Sequence, residues 1–235
     1  MNRRTQAAQL LGDYPNALRF RVRAVRDRPV PAAFGAGERR PVVILPGIYE
    51  SWHYLRPIAE RLSAAGHPVH VIPTLGLNRA PIPATAARVS QELDARGLHD
   101  VAIVAHSKGG IVGKQLLVHQ EQEVGQETYL PRIDRLIAIA SPFNGSALAR
   151  IAPNPALRAF RPSDPVIAAL AAETAVNPRI TSIYPTFDPH IPNGCVLEGA
   201  RNVEVPVVGH FRILLQPELI DAVLAAVERE ADGRV

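Results

Sequence analysis

Residues 101–110 are V-A-I-V-A-H-S-K-G-G, and this short stretch decides which fold the sequence predicts. Its small and β-branched apolar residues predict a buried strand, and a helical spacing of apolar residues begins directly afterwards at Lys108. Ser107 therefore lies on a turn that leads straight from a strand into a helix. Such a turn is strained, and the residues two positions before and after it must be small, as Ala105 and Gly109 are. This is the pattern of the G-x-S-x-G nucleophile elbow, with alanine in the first position, which exposes the serine hydroxyl above the edge of the sheet.

A serine that merely caps the following helix is the alternative interpretation of Ser107. That interpretation does not explain why both neighbours are small, so a nucleophile is favoured. The amide of Lys108 opens the helix, where its N–H group and the helix dipole favour the negative charge of an oxyanion.

Further apolar runs of strand length recur along the chain, with helical patterns between them. Most are continuously apolar, as in strands that are covered on both faces. This alternation predicts an α/β fold with a mostly parallel central sheet and helices on both faces. The runs are P-V-V-I-L-P (41–46), H-P-V-H-V-I-P (67–73), L-I-A-I-A (136–140), I-T-S-I-Y (180–184) and V-E-V-P-V-V (203–208).

The length of 235 residues and a hydrophobic content of 47% predict one domain over residues 1–235. Prolines are dense from 143 to 177, so this segment is predicted to be a small cap inserted over the carboxyl edge of the sheet. An ordinary long connection is the alternative. Residues 1–40 are predicted to form an N-terminal edge segment. Within it, apolar residues alternate with arginines over 18–26, which predicts a half-exposed edge strand that pairs antiparallel.

Composition argues against several classes of protein. The formal net charge is +4, and no basic patch with interleaved aromatic residues indicates nucleic-acid binding. No apolar run is long enough to span a bilayer, and the apolar part of the N-terminus is too short for a signal peptide, so a cytoplasmic location is expected. Cys195 is the single cysteine and is expected to be a packed residue. No residues have metal-ligand spacing and no glycine loop suits a phosphate, so neither a metal nor another cofactor is expected.

A serine is a weak nucleophile until a base removes its proton, and in this fold the acid and then the histidine follow the serine along the chain. Three histidines follow Ser107. His119 falls on the helix that begins at the turn and is expected to point away from the sheet edge. His210 follows the strand V-E-V-P-V-V-G, at the carboxyl edge where open α/β sheets carry their sites. His210 is therefore favoured over His190.

Asp188 is favoured as the acid that orients His210, because it follows the strand I-T-S-I-Y-P-T-F at the same edge of the sheet. His190 is then a cleft or structural residue two positions after the acid. Three other aspartates are less suitable, because one precedes its strand, one lies in the cap segment and one lies in the last helix: Asp134, Asp164 and Asp221.

A second oxyanion donor is expected from P-G-I-Y-E, which follows the strand P-V-V-I-L. Gly47 lets the backbone turn close to a ligand, so the amide of Ile48 can face the site. The amide of Tyr49 is the neighbouring candidate, and a simple turn at Pro46 and Gly47 is the structural alternative.

Several motifs together resemble the α/β-hydrolase superfamily, in particular its bacterial lipase/esterase branch with an A-x-S-x-G elbow. They are L-P-G-I-Y-E-S-W-H-Y-L-R-P-I-A-E-R-L, A-H-S-K-G-G, I-A-S-P-F-N-G-S-A-L-A, F-D-P-H-I-P and V-V-G-H-F-R-I-L-L, in this order. The resemblance implies a triad of Ser107, Asp188 and His210, with the Ile48 and Lys108 amides as the oxyanion hole. It also implies that residues 141–146 line the cleft or begin the cap.

The sequence departs from that family at two positions. Pro46 stands where a histidine commonly precedes the oxyanion-loop glycine, which changes the hydrogen bonds available to the loop. Lys108 stands where the residue is often apolar, so its ammonium is expected to influence the choice of leaving group.

The sequence therefore predicts a serine-dependent carboxylic ester hydrolase that acts through an acyl-enzyme on a small-molecule ester. Tyr49, Trp52 and Phe143 are expected to contribute to its substrate cleft. A lipase that acts on lipid at an interface is the second hypothesis, with an apolar cap helix around 166–170 that opens. A non-catalytic protein of this fold that binds a hydrophobic ligand is the third, and the complete Ser, Asp and His set argues against it.

Overall fold

The computed structural model describes residues 13–22, 29–123 and 132–229, and a six-stranded sheet lies at their centre. All five neighbouring strand pairs are parallel, which confirms the predicted sheet. Every apolar run predicted as a strand overlaps one of them. The strands are β1 (Val42–Leu45), β2 (Val69–Val71), β3 (Val101–His106), β4 (Ile133–Ile139), β5 (Ile180–Phe187) and β6 (Arg201–Val208).

The strand order β2-β1-β3-β4-β5-β6 determines where a site can lie. The chain moves from β1 to one side to form β2, and then crosses back over β1 to form β3. The loops that follow β1 and β3 therefore diverge and leave a crevice at the carboxyl edge of the sheet. The P-G-I-Y-E loop and the serine turn both lie at this switch point.

Helices connect the strands and cover both faces of the sheet. Proline stands in the first turn of five of them, where its missing N–H group has no intrahelical partner to lose. The helices are α1 (residues 13–22), α2 (Arg56–Ala64), α3 (Ile82–Ala95), α4 (Lys108–Glu123), α5 (Pro155–Arg158), α6 (Pro165–Ala172) and α7 (Pro217–Glu228). Short 3-10 turns span Ala32–Gly35, Trp52–Leu55, Pro73–Leu75, Ala147–Arg150, Asn177–Arg179 and Arg212–Leu215.

The core consists of two apolar layers, one on each face of the sheet. Successive residues of one strand belong to opposite layers, as the alternation of side chains along a strand requires. In β3, Ile103 packs with apolar residues of α3, α4 and α6, whereas Val104 packs with those of α2 and α7. Because both faces are covered, β1 and residues 101–105 of β3 are apolar throughout and show no polar alternation, whereas the edge strand β6 carries exposed polar residues.

The prediction of an edge strand at 18–26 is wrong over the residues described, because 18–22 belong to α1. Residues 23–26 lie outside the described residues. Of the apolar residues in this stretch, Phe20 is fully buried and stacks on Tyr54, with ring centroids 4.8 Å apart. Leu18 and Val22 are 62% and 48% exposed, so the alternation with arginine did not mark one buried face.

The segment predicted to be a cap lies between β4 and β5 and contains α5 and α6. Asn154 and Asp164 cap these two helices through side-chain oxygens that accept from Ala156 N and Val166 N. Asp164 is thus a helix cap rather than a candidate acid. Among the helices of the described residues, none combines the length and hydropathy that crossing a bilayer requires.

Candidate active site

Ser107 lies between the last residue of β3 and the first residue of α4, with φ of 52°. A positive φ is strained for a residue with a Cβ atom, and it persists only where the surroundings hold it. Here the Ser107 N–H group donates to Ile139 O over 2.8 Å, and Ser107 O accepts from Gly110 N over 3.0 Å. The turn directs the serine side chain into a cavity at the carboxyl edge of the sheet.

The glycines after Ser107 allow α4 to approach two strands closely. A Cβ atom on Gly109 would lie 2.2 Å from Leu45 O, and one on Gly110 would lie 2.1 Å from Ser141 Oγ. From the sequence, a small residue is expected at Gly109 because a larger one would crowd Ala105. The atoms nearest to Gly109 belong instead to the end of β1, so the close approach is between the helix and a neighbouring strand.

Asp188 directly follows β5, and His210 follows β6 after a one-residue gap at Gly209. The His210 Nδ1–H group donates to Asp188 Oδ2 over 2.7 Å, and both side chains are buried. The structure therefore joins the two residues that the sequence favoured as acid and base. With Nδ1 engaged, Nε2 is the nitrogen of His210 left to exchange a proton with another group.

Hydrogen bonds to backbone amides fix the Asp188 carboxylate. Its Oδ1 accepts from His190 N over 2.8 Å and from Ile191 N over 3.2 Å. Burial by itself raises the pKa of Asp188, but the charge of His210, the hydrogen bond to His210 and the His190 amide together hold the pKa below its usual value. Asp188 is thereby kept ionised beside the imidazole.

The pKa of His210 responds in the opposite sense. Burial by itself lowers it, yet the negative charge and hydrogen bond of Asp188, followed by the charges of Glu50 and Asp13, raise it above its ordinary value. His190 stacks against His210, with centroids 4.7 Å apart and planes 5° apart. Burial and the charge of His210 lower the pKa of His190 to about 4, so His190 is neutral near pH 7.

Ser107 and His210 line one cavity of about 280 Å³. Within the part of the chain that is described, no hydrogen bond joins Ser107 Oγ to the His210 ring, and such contacts often tighten only when substrate binds. His119 is exposed on α4, where it accepts from Gln115 Nε2, so it takes no part in the cavity. The other lining residues include Tyr14, Ile48, Pro142, Ser146, Leu148, Ala149, Leu157, Phe160, His190, Ile191 and Phe211.

Hydrogen bonds from neighbouring side chains hold the P-G-I-Y-E loop, in which Pro46 stands where a histidine is common. Gly47 N donates to Glu50 Oε2 over 2.8 Å, and Pro46 O accepts from Asn78 Nδ2 over 2.7 Å. The amide of Tyr49 donates to Leu77 O over 2.8 Å. Of the two amides that the sequence offered as an oxyanion donor, Ile48 N–H is the one without a backbone acceptor among the described residues, and Ile48 lines the cavity.

The Lys108 side chain does not enter the cavity. Its Nζ donates to Asn78 O over 2.7 Å, to Asn78 Oδ1 over 2.9 Å and to Ala80 O, and the residue is 2% exposed. Burial lowers the pKa of Lys108 to about 8. The ammonium therefore anchors the loop before α3 to α4, and the expectation that it meets a leaving group is wrong.

The remaining residues expected in the cleft lie elsewhere. Trp52 is in the core, with its ring edge against Phe34, and Phe143 is buried beneath Lys114. Tyr49 lines a groove that adjoins the cavity and accepts from Asn154 Nδ2. Cys195 is buried, and burial followed by the charge of Asp188 raises the pKa of its thiol. Its packed position agrees with the sequence prediction.

Asp13 supports the site although no motif marks it in the sequence, and it is buried at the first described residue of α1. Its carboxylate accepts from three consecutive amides, those of His210 over 2.7 Å, Phe211 over 3.0 Å and Arg212 over 2.9 Å. It thus fixes the backbone that carries the His210 ring. Nothing in the local sequence marks this contact, because Asp13 and His210 are 197 positions apart.

Glu50 and His106 were also missed by sequence analysis. Together with His210 they offer ligand atoms within 4.8 Å of one another, a spacing that a metal ion could use. However, His106 Nδ1 contacts the Glu50 carboxylate, His106 Nε2 donates to His210 O, and His210 Nδ1 donates to Asp188. A metal would have to displace these hydrogen bonds, so the donor set suits a hydrogen-bonded site better than a metal centre.

Neither a family model nor a curated protein matches the sequence. Solved structures of low sequence identity match the fold. An α/β-hydrolase-fold protein from Burkholderia ambifaria is 16% identical with a TM-score of 0.59, and the match covers 82% of this chain and 91% of that one. A monoacylglycerol lipase from Paleococcus ferrophilus is 16% identical with a TM-score of 0.57, covering 83% and 94%.

A hydrolase from Pseudomonas aeruginosa is also similar, at 20% identity and a TM-score of 0.56, covering 83% of this chain and 92% of that one. Such identities establish the fold alone. The chain has the α/β-hydrolase fold, as the sequence resemblance implied.

Proposed function

We propose that this protein is a serine-dependent carboxylic ester hydrolase that acts through an acyl-enzyme. The observation that carries the proposal is that a strained Ser107 lines the same cavity as His210, whose ring is hydrogen-bonded to the buried Asp188. Strained backbone residues cluster at active sites, so the conformation of Ser107 supports a functional role for its hydroxyl. The similar structures include a hydrolase and a monoacylglycerol lipase, which supports hydrolytic chemistry for this chain.

In the proposed reaction, Ser107 Oγ attacks the ester carbonyl while His210 Nε2 accepts its proton. Asp188 keeps the imidazole oriented through Nδ1 and stabilises its cationic form. The raised pKa of His210 makes the ring a stronger base than an ordinary histidine. His210 then gives the proton to the alcohol, the alcohol leaves, and a water deprotonated by His210 releases the acid from Ser107.

The negative charge of the tetrahedral intermediate needs donors that are fixed in advance. We assign these to the amides of Ile48 and Lys108, which belong to the loops after β1 and β3. The Lys108 amide stands at the N-terminus of α4, where the helix dipole adds to the stabilisation. The loop that carries Ile48 is held by Glu50 and Asn78, so its amide needs little reorganisation during the reaction.

The cavity indicates the substrate class. Its wall on the cap side is apolar, and with a volume of about 280 Å³ it accommodates a small or medium acyl group rather than a bulky polymer. Several residues between 142 and 160 line this cavity, which favours the proposal that the segment is a cap over the site. The cytoplasmic location and the absence of a cofactor stay predictions.

A direct test is the intact mass of the protein after incubation with a fluorophosphonate. Wild type should gain one adduct and Ser107→Ala none. Ser146→Ala is the matched control, because Ser146 also lines the cavity but its hydroxyl donates to His190 O over 2.7 Å. An unlabelled wild type would refute the proposal. A series of p-nitrophenyl esters of increasing acyl length then measures the capacity of the cavity.

Exposed apolar residues at the mouth of the cavity favour lipid as a second candidate substrate. Tyr14 and Leu148 line the cavity and are 53% and 40% exposed, and Ile151 in the cap segment is 79% exposed. Ile167 and Leu170 of α6 are buried, so the helix first expected to open is packed against the core. A sharp rise of rate above the solubility limit of the substrate would support a lipase, and a smooth saturation curve would refute it.

A further inference from the structure

Glu50 and His106 form a buried pair that lies outside the triad. His106 is the last residue of β3, directly before Ser107, and Glu50 ends the P-G-I-Y-E loop after β1. His106 Nδ1 lies 2.8 Å from Glu50 Oε2 and 2.9 Å from Glu50 Oε1. The two residues are 0% and 3% exposed, so the contact is not a solvated surface pair.

The partners of the His106 ring determine its protons. Nε2 lies 3.1 Å from His210 O, and because a carbonyl oxygen only accepts, Nε2 must carry a proton. Nδ1 faces the carboxylate of Glu50, which also only accepts when it is ionised. Both ring nitrogens are therefore engaged by hydrogen-bond partners within the protein, and the orientation of the ring is fixed from both sides.

Glu50 extends this chain of bonds into the loop proposed to hold the oxyanion. Its Oε2 accepts from Gly47 N over 2.8 Å. A Cβ atom at position 47 would lie 2.4 Å from Glu50 Oε1, so only glycine leaves room for the carboxylate. One buried chain of hydrogen bonds thus runs from Gly47 N through Glu50 and His106 to His210 O.

We propose that Glu50 and His106 are positioning residues, which hold the oxyanion loop after β1 and the His210 backbone after β6 in a fixed arrangement around Ser107. This inference rests on the proposed ester hydrolase. The three parts of the site come from separate loops, and the pair is connected to each of them. Glu50 accepts from Gly47 N in the oxyanion loop, and His106 donates to His210 O beside the base. His106 is also covalently joined to Ser107, the next residue of the chain. Neither side chain reacts with substrate in this proposal.

The test is the hydrolysis of a p-nitrophenyl ester by Glu50→Gln, with kcat and KM measured separately. We expect kcat to fall by about 10- to 100-fold, the size of effect that a small displacement of reacting groups causes, while KM changes much less. Glu60→Gln is the matched control, because Glu60 is exposed on α2 and pairs with Arg56 at the surface. An unchanged kcat in Glu50→Gln would overturn the inference.

Two substitutions of His106 test its contact with Glu50 and its contact with His210 O separately. They remain informative if Glu50→Gln fails to fold. His106→Asn places an amide near the former Nδ1 and retains a donor for Glu50, whereas His106→Gln reaches toward the former Nε2 and retains a donor for His210 O. Both should lose kcat, and combining either with Glu50→Gln should cost less than the two separate losses together, because the residues act as one unit. Independent, fully multiplicative losses would overturn the pairing.

Fluorophosphonate labelling distinguishes failure of this inference from failure of the proposed function. If wild type is not labelled, the proposed function fails and the inference fails with it. If wild type and Glu50→Gln are labelled at the same rate, the hydrolase proposal stands and the positioning role is refuted. A lower melting temperature with unchanged labelling would mean that the pair serves folding alone, which also refutes it.

Discussion

The imidazole rings of His190 and His210 lie parallel, 5° apart in plane and 4.7 Å between centroids. At this distance two positive charges would repel strongly in a buried site, so the two rings together carry at most one positive charge near neutral pH. The pKa shifts favour that charge on His210, since the pKa of His210 is raised and that of His190 is lowered to about 4. His190 is thus a neutral face against which the proposed base is packed.

The first prediction concerns the pH dependence of kcat/KM. His210 must be neutral to accept a proton, so activity is lost as the pH falls through its pKa. The negative charges of Asp188, Glu50 and Asp13 raise the pKa of His210, and this outweighs the lowering by burial. His190 and His106 also face the ring. The loss of activity should therefore occur at a pH above the ordinary histidine value of 6.5. Asp188→Asn should move the loss to lower pH and reduce kcat on the order of 10⁴-fold, as removal of the orienting carboxylate does in other triads. An acid limb that does not move in the variant would contradict the assignment of Asp188.

The second prediction concerns Asp13, whose carboxylate holds the amides of residues 210–212. Asp13→Ala leaves three N–H groups without their acceptor and releases the His210 backbone. We expect a lower melting temperature and a loss of about 10- to 100-fold in kcat from displacement of the base. Asp221→Asn is the control, since Asp221 is exposed on α7. A variant with wild-type kcat would show that the rest of the fold suffices to hold His210.

The third prediction concerns the chain's two lysines, both buried in α4. Lys108 Nζ is fully hydrogen-bonded, whereas Lys114 Nζ has no hydrogen-bond partner in the described part of the chain and lies 5.9 Å above the Phe143 ring. Lys114→Met should therefore raise the free energy of unfolding by about 1–3 kcal/mol at pH 7. Lys108→Met should lower it, because three acceptors lose their donor.

The effect of Lys114→Met should depend on pH. Burial lowers the pKa of Lys114 from 10.5 to about 8, so below pH 8 both folded and unfolded chains carry the charge and the full penalty is present. Between about 8 and 10.5 the unfolded chain binds more protons, and wild-type stability rises with pH. The gain from the substitution should shrink over that range. Urea unfolding at pH 7 and pH 10 measures it, and an equal gain at both would contradict the charge explanation.

The fourth prediction concerns Gly109, whose added Cβ atom would lie 2.2 Å from Leu45 O. Gly109→Ala must push α4 away from β1, so the free energy of unfolding should fall by about 1–3 kcal/mol or more. Gly35→Ala is the control, because no heavy atom lies within 4 Å of its added Cβ. Urea unfolding measures the difference. Equal midpoints for the two variants would contradict the prediction that the close approach of α4 to β1 requires glycine at position 109.

Much of the fold was predictable because its strands are covered on both faces. Continuous apolar runs such as 101–105 have few structural alternatives, and β4 and β5 differ from their predictions mainly in length. The stretch at 18–22 was mispredicted because a period-two pattern over a few residues can also arise on a helix. Only Phe20 of that stretch is buried, and its partner Tyr54 is distant in sequence.

Some residues of the candidate site could be predicted from the sequence and others could not. Ser107, Asp188 and His210 could be selected from the sequence, since each follows a strand and the parallel sheet brings the carboxyl ends of its strands to one edge. Lys108 was misjudged because the sequence does not show where a long side chain turns. Its four-carbon chain runs back to Asn78 and Ala80 instead of into the cleft.

The sequence by itself determined the α/β architecture, the serine turn and the order of the candidate acid and base, because these depend on local periodicity and on the position of a residue along its own strand. Only the tertiary structure decided which groups support them. Asp13, Glu50 and His106 act through hydrogen bonds to groups that are distant in the chain, and no local pattern records such contacts. A polar side chain can be buried when a partner satisfies its hydrogen bonds. Here the partners are far away in sequence, so each pair forms only after the sheet has brought the two parts of the chain together.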